Sequence, residues 1–557
     1  MKLKFNYFNR NIIKFKQLKI KFYRLELLSN SSNLNYNRDT TTTIKTLQED
    51  NNNVDSCPYG RKCSIGSDDE VINVQNNKIF KQKRLRYIDG IFLITSVAVG
   101  CGFQFLLAPI FQDPITTSFL LILFTAATLI SCEMLFETVQ LTNLSSLPEI
   151  AYYLGGGRTS IYFISFALIS FYLSLPSQYL GTQINIFVQI IFSDFRHGQF
   201  LTDPMIYNIS TILVSVLLFP LCLIKDFQKI KILSYMIIVL NISLFINMTC
   251  LIFIYKDFPK MISESNFYNL NSPWMLLGEF SQLYQMQIFY LWVMQSTPET
   301  KRQRVGRKLY YVPVLIILLF TVIYCILIYF DFTVNINTEV SHEMTYPMLV
   351  MFFQENMYGK IFYWQCILCV VLVFPFQFYI GKEFFFVLFD EIINKSLSNK
   401  IDELKTLTST KNRYTKEMVL KLKDDLYQIV RQPYLRISNM KYYAVCLLIY
   451  IPNVLLSLQF FSGDDIDNTT EALLKNIAIK LMKSPILPYI MFFLPGMYYY
   501  KACVYFQIEN QRKKYYGIAM AIFGVIMVTV ITSFSIYSAH YLLANANQHY
   551  IPPTPKS

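Results

Sequence analysis

The chain has 557 residues, of which 53% are hydrophobic and only 16% charged, whereas soluble domains carry nearer ~25% charged residues. The apolar residues fall in blocks of about twenty, the length of helix that crosses a hydrocarbon core of ~30 Å. This pattern excludes a soluble protein, and it excludes a membrane β-barrel, whose strands would alternate polar and apolar residues. The net charge of +13 does not indicate a nucleic-acid partner, because the basic residues collect in short loops beside the apolar blocks.

Three regions follow from composition. Residues 1–85 are polar and rich in Asn, Thr, Ser and Lys, which predicts a disordered tail. Residues 86–540 form an all-α integral membrane domain with about eleven transmembrane helices, and residues 541–557 form a short non-cytoplasmic tail. The predicted spans are approximately 89–110, 116–138, 159–183, 207–224, 232–255, 274–296, 310–330, 360–381, 441–461, 485–504 and 516–538.

Loop charges orient these spans. Lysine and arginine clusters precede the first span and follow the fourth, sixth and tenth, so the positive-inside rule places the N-terminus in the cytoplasm. The long loop 382–440 is then cytoplasmic, and its residues Met418, Leu422, Leu426 and Ile429 predict a helix with one apolar stripe. Asn468 begins an Asn-Thr-Thr glycosylation sequon on the opposite side, although such sequons also arise by chance in an Asn-rich chain.

Catalytic groups are scarce within the spans. The four histidines lie in loops or at span ends, and no span carries a zinc-protease motif, so we expect neither an enzyme nor a bound cofactor. A channel is disfavoured because no span carries a ring-forming series of charges.

Helix-breaking and polar residues interrupt two spans. Span one contains Gly100, Cys101, Gly102 and Gln104 in mid-run; freed backbone groups would line a cavity, whereas close helix packing is the alternative interpretation. Span six carries polar residues in its first half: Gly278, Glu279, Gln282, Gln285 and Gln287. Glu279 is a functional candidate if it lies within the membrane and a solvated headgroup residue if it does not. Spans one and six are equivalent positions in two five-helix halves, as in transporters built from inverted repeats.

Several motifs occur in an order that resembles the amino acid/auxin permease family. They are Gly100-Cys101-Gly102 followed by Pro109, the aromatic and glycine run 150–157, the segment 220–230 with Leu233-Ser234-Tyr235, Pro375-Phe376-Gln377-Phe378-Tyr379, and Leu494-Pro495-Gly496-Met497-Tyr498-Tyr499. The resemblance covers about residues 85–540. It implies a LeuT-like 5+5 inverted repeat plus one extra helix, and secondary active transport of amino acids coupled to protons or sodium, by alternating access around broken helices one and six.

The resemblance also implies a binding site. Backbone around Gly100, Cys101, Gly102 and Gln104 would meet the carboxylate and amine of an amino acid substrate, with Tyr179, Gln285, Gln287 and Tyr290 around its side chain. Span eight has no Ser or Thr between Ile361 and Ile380, which favours protons over sodium, with Glu279 as the candidate carrier. A non-transporting nutrient sensor and a channel or scramblase remain as alternatives, and the host membrane, plasma or vacuolar/lysosomal, stays open.

Overall fold

The computed structural model describes residues 86–102, 114–178, 204–225, 227–254, 280–297, 299–335, 357–409, 437–461 and 485–548, together with Leu277, Leu422, Asp425, Leu426 and Ile429. The tail 1–85 lies outside these residues, as do Gln104, Tyr179, Glu279 and Asn468.

The described residues are helical and contain no strand. In chain order the helices are α1 (Tyr87–Gly102), α2 (Pro114–Thr142), α3 (Leu147–Gly155), α4 (Arg158–Gln178), α5 (Pro204–Cys222), α6 (Phe227–Ile254), α7 (Gln287–Ser296), α8 (Glu299–Val305), α9 (Lys308–Asn335), α10 (Met357–Asn394), α11 (Ser396–Ser409), α12 (Asn439–Phe461), α13 (Ile486–Pro488), α14 (Leu494–Tyr505) and α15 (Gln511–Gln548). A π-helical turn, Tyr489–Phe493, joins α13 to α14.

Within the described part of the chain, six stretches are long and apolar enough to cross a membrane, and they correspond to predicted spans two, five, seven, eight, nine and eleven. They are Ser118–Thr142, Lys229–Cys250, Arg302–Ile323, Val371–Asn394, Asn439–Leu458 and Gln511–Tyr537. Shorter apolar helices occupy spans one, three and four. Spans six and ten are divided into shorter pieces. The predicted all-α, multi-pass membrane fold is confirmed, whereas the count of eleven spans is not settled by helix length.

Helices that are five spans apart pack against each other. The contacting pairs are α1 with α7, α2 with α9, α4 with α10, and α5 with α12. Two halves related by a pseudo-twofold axis in the membrane plane bring equivalent helices together in this way. Four of the five pairs of equivalent spans in a five-plus-five repeat are therefore in contact among the described residues. The eleventh span, α15, packs mainly on α14 and the π-helical turn.

Burial separates a central helix from a peripheral one. The apolar window of Val371–Asn394 on α10 is 83% buried, whereas that of Gln511–Tyr537 on α15 is only 28% buried. Span eight therefore lies inside the helix bundle, and span eleven presents most of its surface outward, where an apolar helix faces lipid.

The predicted end of span eight is too early. The helix α10 continues to Asn394, and its 38 residues extend about 57 Å at 1.5 Å per residue. Lys395 then adopts a positive φ of 54°, and α11 follows. In the rest of the loop predicted to be cytoplasmic, Leu422, Leu426 and Ile429 of the predicted apolar stripe are buried. Similarly, α15 runs to Gln548, beyond the predicted start of the C-terminal tail at 541.

Candidate functional site

Span six is interrupted in its middle. Residues 280–283 are helical, Tyr284–Met286 are not, and α7 starts at Gln287. The Met286 N–H donates to the Tyr284 carbonyl at 2.7 Å, which turns the chain. No side chain caps the start of α7. The first N–H groups of a helix have no partner within it, so this helix start presents backbone donors inside the protein.

Polar side chains without a partner surround this interruption. Both amide atoms of Gln285, both amide atoms of Gln287 and the hydroxyl of Tyr290 have no hydrogen-bond partner among the described residues, and each residue is at most 2% exposed. Leaving a buried polar group unpaired costs about 1–3 kcal/mol. Three side chains with unpaired polar atoms within the six residues 285–290 therefore indicate a binding site for a polar ligand.

The two faces of α7 contact different spans. Gln287 and Tyr290 are three residues apart and share a face; the Tyr290 ring meets Tyr310 of α9 edge to face at 5.3 Å. On the other face, Phe289 packs on Phe376 of α10 at 5.2 Å between ring centroids. The apolar face thus fixes α7 to span eight, and the polar face is directed toward spans two and seven.

Span one is helical to the end of its described part. The helix α1 is continuous through Gly102, so the predicted unwinding cannot begin before Phe103. A Cβ on Gly100 would lie 2.6 Å from Cγ2 of Val373 and 3.2 Å from Cγ2 of Ile237. Close packing therefore explains Gly100. Cys101 and Gly102 form the last turn of the described α1, and α1 contacts α7.

Thr125 contacts the interrupted segment although its sequence position does not predict this. Its hydroxyl lies 2.6 Å from the hydroxyl of Tyr284, which ties span two to the interrupted segment of span six. A single Thr within an apolar run gives no signal of such a contact, because Thr commonly bonds its own helix, and Thr125 also donates to the Leu121 carbonyl at 2.6 Å.

Three carboxylates on spans one and two make the same kind of contact at the predicted cytoplasmic end. Each binds one tyrosine hydroxyl and one basic side chain from another span, and we name these groups carboxylate clamps. In the first clamp, Asp89 binds Tyr235 at 2.6 Å and Lys231 at 3.5 Å. In the second clamp, Glu133 binds Tyr310, and it binds Arg307 at 2.8 Å. In the third clamp, Glu137 binds Tyr499 at 2.6 Å and Lys513 at 2.7 Å. The clamps tie α1 and α2 to α6, α9, α14 and α15.

The helix α11, in the loop predicted to be cytoplasmic, is held by polar contacts. Glu391 pairs with Arg158 at 3.1 Å and accepts from the backbone N–H groups of Leu397 and Ser398, which caps the start of α11. Farther along, the Tyr152 hydroxyl of α3 donates to Asp402 at 2.6 Å. Burial, with this hydrogen bond, raises the pKa of Tyr152 to about 12.

Comparison with known protein families gives no match, and no curated protein matches by sequence. Solved structures that are similar include a substrate-bound, outward-open Na+-coupled sialic acid symporter, at 13% identity over 80% of this chain and 89% of that chain, with a TM-score of 0.39. MhsT in complex with L-phenylalanine is 11% identical over 80% and 98%, with a TM-score of 0.40. The Eremococcus coleocola manganese transporter is 8% identical over 88% and 98%, with a TM-score of 0.37. Similarities at TM-scores of 0.40 or less carry no conclusion about substrate or ion.

Proposed function

We propose that this protein is a secondary active transporter that moves amino acids across a membrane together with protons, by alternating access around the interruptions of spans one and six. The observation that carries the proposal is the buried, uncapped start of α7 beside the unpartnered amides of Gln285 and Gln287. A polar site of this kind within apolar spans serves a polar cargo.

An amino acid fits both parts of this site. A helix N-terminus carries roughly +0.5 charge and binds carboxylates through free backbone N–H groups, so the substrate carboxylate lies at the start of α7 or at the predicted span-one segment near Gly102. The amides of Gln285 and Gln287 and the hydroxyl of Tyr290 both donate and accept hydrogen bonds. They carry no charge, which favours an uncharged polar substrate side chain.

Proton coupling is supported by the composition of span eight. Between Ile361 and Ile380 this span has no Ser or Thr, whose hydroxyls would complete a sodium site beside span one, as the family resemblance implies. Glu279 on span six remains the predicted carrier.

The test is transport by purified protein in liposomes with a panel of labelled amino acids. We expect counterflow, in which unlabelled substrate inside the liposome drives accumulation of the labelled form, for uncharged polar amino acids. Flux that only equilibrates would indicate a channel or scramblase. Specific binding without flux would indicate a sensor. Gln365 is a buried glutamine outside the site, and it donates to Ser243 at 2.7 Å. Gln365→Leu is therefore the matched control, and we expect it to leave substrate selectivity unchanged.

A further inference from the structure

Lys382 is a lysine buried inside the helix bundle. It lies on α10, and its side chain is fully shielded from solvent. Its ammonium donates to the carbonyl oxygens of Cys222 at 2.8 Å and of Ile224 at 2.6 Å. These carbonyls stand at the C-terminal end of α5, where helix carbonyls have no partner within the helix. Lys382 therefore joins span eight to the end of span four.

Aromatic rings complete the surroundings of this ammonium. Nζ lies 4.8 Å from the ring centroid of Tyr379 and 5.4 Å from that of Tyr442 on α12. The Tyr442 hydroxyl donates to the same Ile224 carbonyl at 3.5 Å. Three spans, four, eight and nine, thus meet at one side chain, and none of the ion pairs among the described residues includes Lys382.

The titratable groups around Lys382 come from each of these helices. They are Tyr379 and Glu383 on α10, Cys222 and Lys225 at the end of α5, and Tyr442 and Cys446 on α12. Glu383 is buried and acts on the ammonium electrostatically. Lys225 lies 4.7 Å from the Tyr442 ring centroid. A buried charge without a paired opposite charge is costly. We call the contact of Lys382 with Cys222, Ile224 and Tyr442 the joint of spans four, eight and nine. Gain or loss of one proton at Nζ changes the strength of this joint.

The joint connects the two halves of the repeat, so a change in its strength affects how firmly the halves are held together. Span four belongs to the first half of the repeat, whereas spans eight and nine belong to the second, and α5 packs on its counterpart α12. An ammonium binds carbonyls and ring faces more strongly than a neutral amine does, because its charge adds to both interactions. The protonated joint therefore holds the two halves together more firmly than the neutral one.

We propose that Lys382, in place of the sequence-predicted Glu279, is the proton-coupling residue, an inference that rests on the proposed transport function. In one step of the cycle an N–H bond of the ammonium breaks, the electron pair stays on Nζ, and the proton passes to water on the cytoplasmic side. In the return step the neutral amine takes a proton from the opposite side. The strength of the span four–eight–nine joint then follows the protonation of Nζ.

The test compares accumulation driven by an imposed pH gradient with counterflow, which needs no gradient. Lys382→Arg keeps a charge that does not titrate, and Lys382→Met removes the charge. For both variants we expect the ratio of pH-driven accumulation to counterflow to fall, with no accumulation above equilibrium. The control Lys308→Met removes an exposed lysine at the start of α9, outside this contact, and keeps the wild-type ratio. Either Lys382 variant with a wild-type ratio would overturn the proposal.

A second measurement tests the role of Lys382 even if a Lys382 variant does not transport at all. Purified protein in weakly buffered detergent is titrated with the transported amino acid, and proton uptake or release is recorded. Wild-type protein exchanges protons on binding, and Lys382→Arg does not. An equal proton exchange in both proteins contradicts the role of Lys382. If the wild type shows no counterflow at all, the proposed transport function fails instead, which is a separate result.

Discussion

The rings of Tyr290 and Tyr310 meet edge to face, with centroids 5.3 Å apart and planes at 87°. Tyr290 belongs to the candidate substrate site, and the hydroxyl of Tyr310 binds Glu133 in the second carboxylate clamp. This contact connects the interior of span six with the predicted cytoplasmic end of span two. A substrate that moves Tyr290 therefore acts on the clamp through one neighbouring ring.

Tyr310→Phe tests the clamp while it keeps this ring contact. A hydrogen bond to a charged group is worth about 1.5–3 kcal/mol, so loss of this bond favours separation of the helices at the predicted cytoplasmic end. We expect faster alkylation of Cys132, a buried thiol next to Glu133, measured by mass spectrometry with a membrane-permeant reagent. Tyr311→Phe is the control, since Tyr311 is 43% exposed. Equal alkylation rates for Tyr310→Phe and wild type would show that this clamp does not restrain opening.

Gln285→Leu and Gln287→Leu are expected to separate affinity from stability. Each variant loses a hydrogen bond to substrate, which lowers affinity about tenfold if that bond is worth ~1.4 kcal/mol. Each also removes an unpartnered buried amide, and replacement of such a group by an apolar one is neutral or stabilising. The thermal midpoint of the substrate-free protein should therefore stay the same or rise.

The control variant is expected to lose thermal stability and to keep its affinity for substrate. Gln365→Leu breaks its bond to Ser243 and leaves that side chain without its partner, so the thermal midpoint should fall while affinity is kept. A fall in stability for Gln285→Leu and Gln287→Leu would mean that their amides are satisfied by the protein rather than by a substrate.

Two glycines of span one are expected to respond differently. Gly100→Ala places a Cβ 2.6 Å from Val373, and overpacking of this kind costs about 1–3 kcal/mol, so its effect is on thermal stability. Gly102→Leu adds a large side chain at the end of α1, beside the predicted binding segment, and should abolish transport without loss of surface expression. Transport by Gly102→Leu would remove span one from the site.

The docking of α11 on α3 should depend on pH through Tyr152. An exposed tyrosine ionises near 10.0, whereas the pKa of Tyr152 is raised to about 12. The Tyr152 contribution to docking is therefore complete below pH 10 and is lost as the pH rises toward 12. Tyr152→Phe removes it at neutral pH, and tryptic cleavage at Lys400 and Lys405 should become faster. The hydroxyl of Tyr153 bonds Tyr505 rather than α11, so the control variant Tyr153→Phe should be cleaved at the wild-type rate.

The sequence predicts the helices well because an apolar run of about twenty residues has few other structures available. The crowding of Gln282, Gln285 and Gln287 also indicates span six, whose helix is interrupted at Tyr284–Met286, between the first and the last of these glutamines. The clamps could not be predicted in the same way: Glu133 and Arg307 are 174 residues apart, and their contact depends on tertiary packing. The end of span eight is not predicted correctly, because a charge normally ends a span, whereas the Lys382 ammonium is buried and donates hydrogen bonds to the carbonyls of Cys222 and Ile224.

Concentrative uptake tests the central claim most directly. Wild-type protein and the Gln285→Leu, Gln287→Leu double variant are reconstituted in liposomes, and uptake of a labelled uncharged polar amino acid is followed under an imposed pH gradient. We predict accumulation above equilibrium by the wild type, collapse of that accumulation when the gradient is dissipated, and none by the double variant. Uptake that only equilibrates, or accumulation by the double variant at the wild-type level, would contradict a proton-coupled amino acid transporter with its site at the interruption of span six.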